Sequence, residues 1–162
     1  MANSTIESIL EAIKDALSSL TTTEGGSLRH LDVFGGDFSR FVQEFDTYSP
    51  GVILYYPGSS VASRDGNGKA WTRTYTVEII LFDFSKLGAS ERALGFAGNP
   101  GVWELEEQIA NLIQGATVTL DNAVGTKTKP IRITATGEKE VDQGLSVWAI
   151  SLSIETPVLI PA

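Results

Sequence analysis

The segment TRTYTVEIILFDF, residues 72–84, constrains the fold more than any other stretch of the chain. It is rich in β-branched and aromatic residues, and its alternation puts Tyr75, Val77, Ile79 and Leu81 on one face and Thr74, Thr76 and Glu78 on the other. The polar face does not stay polar, because Ile80 and Phe82 continue it. A strand that is apolar on both faces at one end needs cover on both sides there, from another element of the fold or from another subunit.

Two amphipathic helices can supply such cover. The first opens with Ser4-Thr5-Ile6-Glu7, a capping box, and continues with Ile6, Ile9, Leu10, Ile13, Leu17 and Leu20 at helical spacing. For the second, Asn99-Pro100 fits the N-cap and first helical position, Val102, Leu105, Ile109, Leu112 and Ile113 form the apolar stripe, and Gly115 marks the stop. Further strands are expected at LRHLDVF (28–34), VILYY (52–56), ATVTL (116–120), PIRITAT (130–136) and LSVWAISLSIE (145–155), with a helical turn at FSRFVQEF (38–45). The tail TPVLIPA reads as too short for a strand pair of its own. Strands in mostly hairpin order beside two helices imply an α+β domain spanning residues 1–162, with both helices on one face of a largely antiparallel sheet and a long hairpin arm. A chain of this length buries roughly two-thirds of its unfolded surface, so its core needs no staples.

Composition removes several kinds of chemistry. With no cysteine there are no disulfides, thiolate metal sites or thiol nucleophiles, and one His leaves little for acid–base work. Twenty acidic against twelve basic side chains give a net charge of −8, a surface that repels phosphate backbones. No apolar run reaches the length of a membrane span, and MANSTIESIL has no basic region ahead of its apolar residues, so synthesis in the cytoplasm is expected.

The stretch SVASRDGNGKAW, residues 60–71, imitates a ligand loop without meeting its rules. A phosphate loop needs glycine where Ser63 stands and Ser or Thr where Ala70 stands. A calcium loop starting at Asp65 would put Asn67 and Lys69 at ligand positions and Thr76 in place of the bidentate Glu. The expectation is a hairpin turn in which Asp65-Gly66 and Asn67-Gly68 supply positive φ. His30 and Asp32 lie on one face of a strand, yet two ligands make no metal site, and no G-x-S-x-G elbow accompanies them. Glu104, Glu106 and Glu107 answer the positive end of their helix. Trp71 and Trp103 are either core at an element edge, the favoured reading, or exposed anchors for a partner. Arg64, Lys69 and Arg73 make the arm basic within an acidic protein, which suits an acidic neighbour, including another copy of the chain.

The order of these motifs resembles the Mu-like bacteriophage tail protein family: an N-terminal amphipathic helix, PGVILYY, a hairpin with R-x-G-x-G, TRTYTVEIILFDF, NPGVWELEEQIANLIQG and GLSVWAISLSIET. That family is similar in size and layout to the tail-terminator proteins of long-tailed phages. The resemblance spans Ile6 to Thr156 and departs in the Gly/Ala-rich loop before Asn99 and in the apolar tail. It implies a structural virion protein with no cofactor and no catalysis. It also implies a homo-oligomeric ring, usually of six copies, that caps the tail tube, ends its polymerisation and docks the head. Implied partners are the tail tube protein, a head-completion or neck protein, and a sheath protein in a contractile tail; DNA passes the lumen without specific binding and no membrane is involved. The implied place is the virion tail or neck, reached from the host cytoplasm. Contacts are expected from the arm Ser59–Trp71 and the loop Ser85–Asn99, with Arg64, Asp65, Asn67, Lys69, Trp71, Arg73, Phe82, Leu87, Phe96 and Trp103 as candidates. The alternatives are another neck or baseplate component, a monomeric ligand-binding module using the same arm, and a small hydrolase using His30.

Overall fold

The computed structural model describes residues 4–34, 49–63, 70–84, 95–96, 99–121, 126–142 and 145–159. Helix α1 (Thr5–Leu17) opens as expected: Ser4 Oγ accepts from the Glu7 backbone N–H, and the Glu7 carboxylate accepts from the Ser4 N–H at 2.7 Å. The Ser4 backbone N–H, and after it the Ser4 hydroxyl, hold the Glu7 carboxyl below the usual carboxylate range. Helix α2 (Val102–Ile113) starts later than expected. Asn99-Pro100 forms strand β5, which pairs with β4 (Gly95–Phe96), so Gly101 becomes an N-cap with no side-chain bond. Gly115 ends the helix at φ 80°, a left-handed position suited to glycine, and its N–H donates to the Ile131 carbonyl at 2.9 Å.

The remaining strands, β1 (His30–Val33), β2 (Gly51–Ser63), β3 (Ala70–Phe84), β6 (Arg132–Asp142) and β7 (Leu145–Leu159), form one sheet in the order β1-β2-β3-β7-β6. Only the β1–β2 pair is parallel. The expected strand at ATVTL is absent. That stretch makes a single bridge, Thr119 with Lys127, and the Thr128 hydroxyl takes the Val118 N–H at 3.0 Å, where a ladder would use a carbonyl. The tail corrects the sequence reading in the opposite sense. Thr156–Leu159 continues β7, and Ala70–Arg73 of the long central strand supplies its partners. The expected turn at 38–45 lies outside the described residues.

One face of the sheet contributes Val52, Leu54, Val77, Ile79, Leu81, Ile150, Leu152 and Ile154 to a single buried cluster, together with Ile9, Ile13 and Leu17 of α1 and Val102, Leu105, Ile109 and Ile113 of α2. Leu112, expected on the α2 stripe, is exposed because it sits at the stripe's margin, about 60° from Ile109 at 100° per residue. The second apolar face is resolved within the chain. Ile53 and Phe82 are 4% and 1% exposed, and Phe34, Ile80 and Val147 pack against them.

Strand β2 carries a bulge: Tyr55 pairs with Glu78 and Gly58 with Thr76, so Tyr56 and Pro57 together oppose Val77. Beyond Leu54 β2 has no ladder to β1, and a proline without an N–H fits such an edge. The extra residue turns the distal part of β2 over. Val61 therefore pairs with Arg73 and shares its face, which is the face that carries the main core lower down.

Candidate assembly surfaces

The arm is three strands wide where the sequence reading expected a two-stranded hairpin. Val61, Arg73 and Thr156 lie side by side, followed by Ser63, Trp71 and Val158. Val61 is 47% exposed, and the Arg73 guanidinium sits 6.0 Å from the Tyr75 ring centroid, two residues back on the same face. Trp71 is half-buried. The tip of the arm, with Arg64, Asp65, Asn67 and Lys69, lies outside the described residues, as does Leu87 of the Gly/Ala-rich loop. Phe96 belongs to β4. Phe82 is fully covered by its own chain and presents no surface of its own.

The other end of the sheet carries a different surface. Trp103 was favoured as core, yet it is 49% exposed, because its place on α2 is about 120° from the buried stripe. Its ring meets Trp148 edge-on, 6.5 Å between centroids at 80°. Glu138 pairs with Trp148 across the β6–β7 ladder and so shares its face, while Glu106 and Glu107 follow Trp103 by one helical turn.

A third feature is a depression of about 400 Å³ lined by α1, the turns after it and β1, and it includes Lys14, Ser18, Thr21, His30 and Asp32. Lys14 Nζ lies 3.1 Å from Asp32 Oδ1, which also accepts from the Val33 N–H at 2.8 Å. Partial burial pushes the Asp32 carboxyl up, but the Val33 N–H, the Lys14 ammonium and His30 outweigh it and hold it below its usual range. Burial holds His30 below the ordinary histidine value, with Asp32 opposing and Lys14 assisting. Two hydroxyls of this depression serve the backbone: Ser18 donates to the Asp15 carbonyl and Thr21 to the Ser18 carbonyl, both at 2.7 Å. These two bonds close the turns after α1. Among the described residues no three His, Cys, Asp or Glu gather as a metal set, and no helix is long and apolar enough to cross a membrane.

Comparison with known proteins adds the following. The family described as Bacteriophage Mu, Gp37 matches residues 5–156. No curated protein sequence matches. Among solved structures, a chain described as belonging to the virion of a native gene transfer agent particle superimposes with a TM-score of 0.57 at 9% identity, covering 95% of this chain and 98% of that one. Identity that low speaks to the fold alone, but the two folds are coextensive.

Proposed function

The chain belongs to the bacteriophage Mu Gp37 family, and from that premise we propose that it is a single-domain structural virion protein that closes the tail tube as a ring, ends tube polymerisation and offers the head or neck a docking surface. The observation that carries this reading is the whole-length match: the family pattern runs over residues 5–156, and the fold is shared from end to end with a chain of a virion particle.

The surfaces support the same role. The ring, taken as six copies, needs a contact that joins one surface to a different one, since only such a contact closes by rotation through more than two subunits. The chain has two unlike exposed surfaces, at the arm and beside Trp103. A net charge of −8 keeps passing DNA from sticking to a lumen wall. Partners in this reading are the tail tube protein, a head-completion or neck protein and, in a contractile tail, the sheath.

The reading is tested by adding the purified protein to tail tube protein during polymerisation and imaging the tubes by negative stain. Short tubes with one capped end are expected, the cap labelled by an antibody to this chain. Tubes of unaltered length, or label confined to the baseplate end of intact tails, would overturn it in favour of another tail component.

A further inference from the structure

Both exposed surfaces lie on the face of the sheet that carries the main core, at its two ends. Leu81, which pairs with Trp148, is eight residues along β3 from Arg73, about 26 Å at a strand rise of about 3.3 Å per residue. Between them the face is buried under the helices. What is left open is an aliphatic and basic end and an aromatic and acidic end. Val61 lies beside Arg73, whose guanidinium is held near Tyr75. At the far end Trp103 stands against Trp148, with Glu107 one turn along the helix and Glu138 across the ladder.

We propose that these two ends are the two halves of one contact between copies of this chain, the Val61–Arg73 face of one arm seating on Trp103 and Trp148 of the next copy with Arg73 directed at Glu107 and Glu138. This inference rests on the ring reading and names the surfaces that make it. Three observations favour a second copy over any other occupant. The charges are opposite, which steers association and disfavours pairing of like ends. Each end exposes apolar area next to its charge, and an exposed tryptophan in a packed aromatic pair is the kind of residue that anchors an interface. The ends are too far apart within one chain to meet each other, so only a second copy can bring an arm of this chemistry onto this aromatic end. A head-to-tail contact of this kind propagates until it closes.

The test uses the full chain, free and bound to tail tubes, with mass read by sedimentation or mass photometry. Trp103→Ala should weaken self-association about thirtyfold and Arg73→Glu about tenfold, and Arg73→Glu/Glu107→Lys should recover most of the latter loss. The two single variants mixed together should form dimers that grow no further, because each lacks a different half of the contact. Those dimers also prove that both variants are folded. Rings that persist in both single variants overturn the assigned surfaces and leave the ring reading standing. Variants that fail alone and also fail to dimerise when mixed overturn the head-to-tail pairing. A wild-type chain that stays monomeric both free and on tubes overturns the ring reading, and this inference with it.

Discussion

The two halves of the β3–β7 ladder share strands, register and direction, yet one half lies under the helices and the other projects beyond them. From Val77 to Leu81, opposite Trp148 to Leu152, the inward face is covered by both helices and its aliphatic residues are buried. From Trp71 to Arg73, opposite Thr156 to Val158, the same face carries the arm, with Arg73 and Val61 exposed. Backbone pairing carries the strands past the cover of the helices, although Thr156, beside Arg73, is itself buried. A ladder propagates once its register is set, so a short buried segment can project a much longer structured arm.

The sharpest way to break this comparison is to truncate one residue in each half. Ile79→Ala, at a fully buried site, should cost about 2–5 kcal/mol in urea unfolding, whereas Val61→Ala on the same face should stay within about 0.5 kcal/mol. Equal losses would mean that the arm is held by packing after all. The joint between the halves comes next. Gly58 has φ 150°, where side chains are rarely found, and Gly58→Ala should destabilise by about 1–3 kcal/mol although a Cβ there meets nothing within 4 Å. A neutral Gly58→Ala would show that the bulge relaxes freely.

The smallest expected effect lies at the edge of the covered half. Burial lowers the His30 pKa below 6.5, so as pH falls through 6.5 the unfolded chain takes up a proton before the folded one does. Stability should therefore decline from pH 7.5 to 5.5, levelling once the folded histidine titrates, and His30→Asn should flatten that slope in urea midpoints. Asp32 does not confuse the window, because its depressed carboxyl loses its contribution only below about pH 3.8. An unchanged slope in the variant would place the sensitivity elsewhere.

Local chemistry made much of this fold legible. The Ser4 capping box, the α1 stripe, the two-faced apolar strand and the stop at Gly115 are each written within a few residues, and each is found in place. What was not legible depends on distant partners. Asn99-Pro100 has good N-cap chemistry but is taken by a ladder to Gly95–Phe96. Thr156–Leu159 looks like a loose tail until a strand long enough to pair with it is known to run alongside. For the surfaces, the helical angle of Trp103 already pointed away from the stripe, and general residue preference wrongly outweighed it. The arm's basic character was visible, but which of its faces meets solvent was not, because that depends on a bulge no composition rule announces.

That bulge makes the chemistry of the arm a matter of odd and even. Val61 stands with Arg73 only because two residues, Tyr56 and Pro57, occupy the span of one across from them. Were the same sequence to pair one to one through this point, Ser60 would stand opposite Arg73, and Ser60 and Ala62 would present the face that now carries Val61. What the arm presents is thus set upstream of it, by whether two residues or one fill the span opposite Val77.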